Sequence, residues 1–362
     1  MTPHAPPPEK AAPDAAWTTP LRFAVLELTN RCNLRCPHCA SNSGPPRKNE
    51  LTTDEWLAVI DDMAALGGEE ITLIGGEVFL HPDWLRIAHH VTEVGMELAI
   101  VTNGLLVTDA VFEQLLTVPL ARLGVSLDGA SPDVYRQVRG VDGFARVWDL
   151  LLRFWDHGHA PVSAITTVSR VNYGDVERLA ALIRPTGIDW QVQIASAVSE
   201  RFDDSLFITP AEFLALCRRL GGWMLALGDD NYIAPMDDFG YFPLDPLHAP
   251  LHTEWSGCQA GQQVIGVRAN GDLLGCLSLG EPFIEANLRR RPLIEAWPAT
   301  DIFARFRHKA GRLTGACAKC PMAERCGAGC TAMAWSATGG ITENPYCMRQ
   351  LETAELLQQI AQ

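Results

Sequence analysis

The sequence predicts an α/β chain in which a partial (β/α)6, TIM-like barrel precedes a small, cysteine-rich α+β region. Three observations carry that expectation. Apolar runs of strand length alternate with helix-patterned stretches from residue 23 to about residue 220, the rhythm of a largely parallel sheet with helical crossovers. The rhythm stops before an eight-unit barrel could close. Of 11 cysteines, three fall within residues 32–39 and seven lie between residues 258 and 347.

Residues 23–29 form the first predicted strand, which ends just before Cys32. A helix is expected over 52–66, with Thr52 or Thr53 as its N-cap and Glu55 nearby to complete a capping box. Residues 71–74 read as a strand followed by Gly75, Gly76 and Glu77, and 83–94 as a helix. The strand at 97–101 ends in Thr102, Asn103 and Gly104. The alternation continues with helices at 109–116, 143–157, 175–183 and 210–220 and strands at 122–127, 162–168 and 190–194. Gly/Asp-rich turns and the stretch 235–250 then read as loop. Extended runs at 264–267 and 273–277 flank Asn270-Gly271, a hairpin turn signal. Beyond Cys317 the cysteines are too closely spaced for an ordinary core, so this part is expected to fold around metal. The chain therefore divides into a flexible N-terminal tail (1–20), a barrel domain (21–234), a linker (235–257), a cysteine-rich domain (258–350) and a C-terminal tail (351–362).

Composition narrows the function. A net charge of -14, from 43 acidic and 29 basic residues, opposes a broad nucleic-acid footprint. The Pro/Ala-rich start lacks a signal peptide's basic and apolar regions, and no apolar stretch is long enough to span a membrane. A reducing, cytoplasmic location is expected. There the cysteines read as metal or cluster ligands and not as disulfides.

The strongest motif is Cys32-Asn33-Leu34-Arg35-Cys36-Pro37-His38-Cys39. Three thiolates just past a strand can hold three irons of a cubane cluster and leave the fourth iron open to a small chelating ligand. A structural zinc site is the alternative, but zinc usually takes four protein ligands. This spacing, three and then two residues between cysteines, resembles the radical S-adenosylmethionine (SAM) superfamily. The resemblance implies that SAM chelates the open iron at Cys32, Cys36 and Cys39. It implies reductive cleavage of SAM to a 5′-deoxyadenosyl radical, which abstracts a substrate hydrogen. Gly75, Gly76 and Glu77 match the segment that binds the SAM amino group, although Val78 stands where the family usually has proline. Asn103, Ser126 and Asp128 are candidates for contacts to the ribose or methionine part of SAM, and Arg139 for its carboxylate. Asn172 and Gln193 are candidates to line the same cavity.

Cys258, Cys276, Cys317, Cys320, Cys326, Cys330 and Cys347 resemble the SPASM domain, the auxiliary-cluster extension of some radical SAM enzymes. Carried over from that family, Cys317, Cys320, Cys326 and Cys347 hold an outer [4Fe-4S] cluster, and Cys258, Cys276 and Cys330 an inner one. With the SAM-binding cluster this makes three [4Fe-4S] clusters. Residues 259–266 contain no cysteine where some relatives have one, so the inner cluster has an open iron or a non-cysteine ligand. Cys217, among apolar neighbours, reads as a core thiol.

The resemblance implies net oxidation after hydrogen abstraction, with the auxiliary clusters accepting an electron. Leu277 replaces the aspartate of formylglycine-forming relatives, which leaves Asp128, Asp237, Asp238 and Tyr241 as other bases or as plain loop residues. The leading expectation is a maturase that modifies a ribosomally made peptide by side-chain cross-linking. A radical SAM dehydrogenase or epimerase of a sugar or aminocyclitol is the alternative, and epimerisation is weakened because Cys217 is the only spare thiol. Expected partners are the peptide or small-molecule substrate and a reducing donor such as flavodoxin or ferredoxin; with about twenty residues before the first strand, peptide recognition is expected to fall to the barrel, the cysteine-rich domain or a separate peptide-recognition protein. Arg289, Arg290 and Arg291 could meet an acidic peptide or form a solvated face. A redox carrier and a zinc-stabilised interaction protein are the non-catalytic alternatives.

Overall fold

A computed structural model describes residues 16–197, 199–244, 251–252 and 255–362. Most of the expected N-terminal tail and part of the expected linker lie outside these residues. Seven parallel strands alternate with helices: β1 Phe23–Glu27, β2 Glu70–Ile74, β3 Glu97–Thr102, β4 Arg122–Ser126, β5 Val162–Val168, β6 Asp189–Ile194 and β7 Ile233–Pro235. The helices between them are α1 Thr53–Ala65, α2 Trp84–Glu93, α3 Asp109–Leu115, α4 Pro132–Arg139, α5 Phe144–His157, α6 Val176–Ile183 and α7 Pro210–Leu227. The sheet does not close, as expected of a partial barrel.

Local chemistry explains the boundaries. Thr52 caps α1, accepting from the Glu55 N–H while the Glu55 carboxylate receives the Thr52 N–H. Thr209 and Glu212 form the same box at α7, with Pro210 in the first turn. α7 runs past residue 220 to Leu227, through Gly221 and Gly222, because Trp223, Met224 and Leu227 still pack against the core. Burial outweighs the cost of two helical glycines here. α4 was not evident from the sequence. Ser131 caps it, Pro132 opens it, and Gly140 at φ +77° ends it, so Arg139 is its last residue.

The cysteine-rich part extends the same sheet. Strand β8 (Val264–Val267) pairs in parallel with β1, from Phe23 opposite Val264 to Leu26 opposite Val267. β9 (Asp272–Leu274) and β10 (Ala286–Asn287) follow antiparallel, giving the order β10-β9-β8-β1-β2-β3-β4-β5-β6-β7. The β8–β9 hairpin forms at Asn270-Gly271 as expected, but only Gly271 takes positive φ, +85°. The Gly271 N–H donates to the Arg268 carbonyl and the Arg268 N–H to the Asp272 carbonyl, the pattern of a three-residue loop ending in a left-handed glycine. Short helices α8 Leu293–Ala296, α9 Ala304–Arg307, α10 Gly315–Ala318 and α11 Ala323–Cys326 follow, then α12 Thr331–Thr338 and α13 Met348–Ile360. The expected C-terminal tail is thus largely helix, and Arg218 of α7 pairs with Glu355 of α13 at 2.7 Å.

Glu27, at the end of β1, is fully buried. Arg47 donates to it at 2.6 Å, and the Ala269 N–H donates at 3.1 Å. One carboxylate thereby joins the first cysteine loop, the barrel and the β8–β9 hairpin. Among the described residues, no helix is long and apolar enough to cross a membrane. Removing Glu27 strands a largely buried guanidinium. Glu27→Ala is expected to lower stability by about 3–5 kcal/mol, read as a lower urea midpoint under anaerobic conditions; an unchanged midpoint would show that the joint carries no weight.

Candidate active site

The first cysteine loop leaves the end of β1 and folds back on itself. The Cys32 N–H donates to the Gly44 carbonyl at 2.9 Å, and the Gly44 N–H returns to Asn30 at 3.0 Å. The loop after β2 packs directly beneath. A Cβ on Gly76 would stand 2.4 Å from the Arg31 carbonyl oxygen, so only glycine fits this crossing. Cys32, Cys36 and Cys39 line a cavity of about 530 Å³, and Cys258, Cys276 and Cys330 line it as well. Cys317, Cys320, Cys326 and Cys347 surround a separate space of about 20 Å³.

The nine residues expected around the cofactor divide by position. Gly75, Gly76, Asn103, Ser126, Arg139 and Gln193 line the large cavity. Glu77, Asp128 and Asn172 do not; they sit behind it. The Glu77 carboxylate accepts from the Thr102 hydroxyl at 2.6 Å and from the Asn103 N–H at 2.9 Å. Burial pushes its carboxyl up to about 7 against those hydrogen bonds. Its side chain thus holds the end of β3, and the Asn103 amide is left facing the cysteine loop through Asn33 at 2.8 Å. Asp128 is wholly buried, accepts from the Thr167 N–H at 2.7 Å and pairs with the Arg139 guanidinium. Asn172 donates to the Asp128 and Thr167 carbonyls, each at 3.0 Å. Asp128 and Asn172 therefore fix loop ends, and Arg139 is aimed by its buried partner.

Arg139 Nη1 lies 3.7 Å from Cys36 Sγ, and backbone N–H groups of Leu34 and Ser43 point at the sulfurs of Cys32 and Cys39. Such donors stabilise thiolates, yet burial prevails in the bare protein: it pushes the Cys32 and Cys276 thiols up to about 11. Cys347 goes up to about 12 although it immediately precedes α13, whose N-terminal dipole favours a thiolate. Buried thiolates of this kind need bound positive charge, which metal supplies. No disulfide links the cysteines, and among the described residues no three His, Cys, Asp or Glu side chains converge tightly enough for one metal ion. The sulfurs instead ring open space, which suits a multi-iron cluster better than zinc.

His38 lines the cavity, as do Asp237 and Asp238, two of the acids that the sequence offered as bases. His38, between two cysteines, is held neutral by burial, its pKa pushed down to about 4, with Asp128 3.7 Å away. One oxygen of Asp238 accepts from the Ile194 N–H at 2.6 Å, and the other is buried without a hydrogen-bond partner. Burial pushes this carboxyl up to about 7. It lies just after a short strand that the sequence does not signal. Tyr241 is buried between the two groups of cysteines, receiving the Cys330 N–H at 2.8 Å and donating to the Asp237 carbonyl at 3.0 Å. Cys217 is fully buried in α7. The arginine run is partly tied down: Arg289 pairs with Glu55 at 2.6 Å and Arg291 with Asp301 at 3.1 Å.

Comparison with known proteins adds to this geometry. The radical SAM superfamily model matches residues 26–183, and the model of an iron–sulfur cluster-binding domain, SPASM, matches residues 258–321. The AdoMet-dependent heme synthase of Methanosarcina barkeri is 30% identical over 354 residues, covering 92% of this chain and 98% of that protein. The mycofactocin maturase MftC of Mycobacterium ulcerans is 28% identical over 311 residues, 84% of this chain and 82% of its own. Among solved structures, Streptococcus suis SuiB bound to S-adenosylmethionine superposes with a TM-score of 0.72 at 18% identity, covering 92% of this chain and 76% of SuiB, which establishes likeness of fold.

The split of the cysteines between two spaces has a direct consequence for metal content. If each set holds one four-iron cluster, replacing Cys317, Cys320, Cys326 and Cys347 by alanine is expected to remove at least about 4 irons per chain. Iron and acid-labile sulfide assays after anaerobic reconstitution read the loss, and stoichiometric zinc with little iron would contradict it.

Proposed function

The chain belongs to the radical SAM superfamily and carries a SPASM domain; on that footing we propose that it is an oxidative maturase of a ribosomally synthesised peptide. Cys32, Cys36 and Cys39 would hold the cluster that binds SAM, and the two remaining sets two auxiliary [4Fe-4S] clusters. Bound there, SAM and the clusters supply a carbon-centred radical able to abstract hydrogen and sites able to accept single electrons. One observation carries the reading: the first three cysteines and the inner three line one cavity.

The chain's own residues have distinct tasks. The backbone at Gly75 and Gly76 allows close approach of a ligand's amino group, and Arg139 offers a guanidinium to a carboxylate. Asn103, Ser126 and Gln193 present polar groups at the ends of β3, β4 and β6. Val25, Ile74, Val101, Met236 and Met333 give apolar walls that limit water. Oxidation of a C–H bond with loss of two hydrogens removes a hydrogen atom, an electron and a proton from the substrate. Asp238, with one oxygen anchored to Ile194 and the other unpaired, is the proton acceptor on this chain.

The peptide substrate is supported by a relative named for peptide chemistry, the PqqA peptide cyclase of Ruegeria pomeroyi, 33% identical over 168 residues, 46% of this chain and 45% of its own, and a maturase is supported by the match to MftC. A second reading, synthesis of haem, has a specific observation in its favour, the match over 98% of the Methanosarcina barkeri heme synthase. Anaerobic incubation of the reconstituted protein with SAM, dithionite and either a short precursor peptide encoded beside its gene or an iron porphyrin precursor separates the two. A peptide product lighter by two hydrogens supports maturation. Haem formation with an untouched peptide transfers the assignment to the second reading, and a product of unchanged mass points to epimerisation. Asp238→Asn, with iron content retained, is expected to lower product formation by about 10²–10⁴-fold. Retained turnover would remove Asp238 from the chemistry.

A further inference from the structure

Lys309 stands just before the short turn at residues 310–312 and is only 5% exposed. Its Nζ donates to the Gly329 carbonyl at 3.1 Å and to the Thr331 hydroxyl at 3.0 Å. These two residues flank Cys330. Thr331 lines the large cavity together with Cys258, Cys276 and Cys330, and Gly329 lines the small space together with Cys317, Cys320, Cys326 and Cys347. The lysine therefore lies within electrostatic reach of both sets at once.

A buried ammonium is costly unless anions stand close by. Burial pushes the Lys309 pKa down, and an anionic cluster held beside Cys330 would oppose that. Its position is also well fixed, because the two acceptors come from the segment that joins the two sets. Gly329 needs its φ of +61°, and its Cα lies so near the Tyr241 ring that an added Cβ would come within 2.3 Å. The segment carrying the two acceptors is thus packed firmly, with Tyr241 on its other side.

We infer that Lys309 is a positioning residue for electron acceptance: its positive charge, shared between the inner and outer cysteine sets, stabilises the more anionic, reduced state of the clusters these sets would hold. The inference rests on the cluster assignment of the proposed function. The electron it concerns is the one lost by the substrate after hydrogen abstraction, and a cluster that takes it gains one negative charge. Net charge and local hydrogen bonding set such potentials. A single charge in a poorly screened interior acts over several ångströms, so both neighbouring sites feel it.

The test uses the full chain carrying Cys32→Ala, Cys36→Ala and Cys39→Ala, so that only auxiliary signals remain. That protein should retain about 8 irons; if it retains none, the cluster assignment fails before Lys309 is examined. Lys309→Gln keeps a hydrogen-bond donor without the charge, Lys309→Met removes both, and Lys309→Arg keeps the charge. EPR-monitored redox titration is expected to show at least a tenfold shift toward the oxidised form in the Gln and Met variants, a midpoint lower by about 59 mV or more for one electron. The Arg variant should stay near the parent. Full iron content with an unmoved midpoint in both neutral variants overturns the inference and leaves the cluster assignment standing. Loss of iron from both neutral variants also overturns it, because Lys309 would then serve cluster assembly and not electron acceptance.

Discussion

The parallel pairing of β8 on β1 is the constraint on which the site depends. β1 delivers Cys32, Cys36 and Cys39 at its C-terminal end, and β8 lies between Cys258 and Cys276 in the chain. Cys258 precedes β8 and Cys276 follows the antiparallel β9, so both lie toward the N-terminal end of β8, and the large cavity, lined by Val25 and Val264, runs along this seam to the Cys32 loop past the other end of β1. Register in a sheet buried on one face is strongly specified, since a shift by one residue turns every side chain over. Glu27 strengthens the joint from within by accepting from Arg47 on one side and Ala269 on the other. The cysteine-rich part is in this sense a continuation of the barrel, and the cavity is built on the seam.

A second layer of charge follows from burial. Thiols buried in poorly hydrated spaces resist ionisation, and burial pushes Cys32, Cys276 and Cys347 upward accordingly. Around them the chain places fixed cations whose own desolvation is met by partners. Arg139 has Asp128 behind it and Cys36 in front. Lys309 has carbonyl and hydroxyl acceptors from the residues beside Cys330. Asp128 and Glu77 hold the site's edges through these hydrogen bonds and the ion pair. Their removal would disturb Arg139 and Asn103, which do face the cavity.

The sequence made the alternating strands legible because their apolar runs are short, β-branched and separated by Gly, Asn and Asp. The cysteine motifs were legible because spacing alone limits what thiols can do. What spacing could not convey was orientation. Glu77, Asp128 and Asn172 sit near strand ends exactly as Asn103 and Ser126 do in the chain, yet only the latter two reach the cavity. Beyond the last residue of a strand the two-residue alternation ceases to predict which way a side chain turns. Asp238 could be named from the sequence only as a base or a plain loop residue, because it follows β7, a three-residue strand that ends in a proline within a stretch that reads as loop. Lys309 had no local signal, because its significance comes from Gly329 and Thr331, some twenty residues away in the chain.

The outer cysteine set closes the architecture. Cys317 lies within α10, Cys326 ends α11 and Cys347 precedes α13. These helices are too short to be stable alone, apart from α13. Their common point is the small space ringed by the four sulfurs, beside Tyr241 and Gly329. A metal centre there would tie three separate chain segments through bonds far stronger than the few apolar contacts each can make. α13 in turn lies against α7 through Arg218 and Glu355, so the tie extends back to the barrel. The outer set thus has a structural reason to exist apart from any electron it carries: without it, the segment that presents Cys330 and the acceptors of Lys309 would lose its anchor.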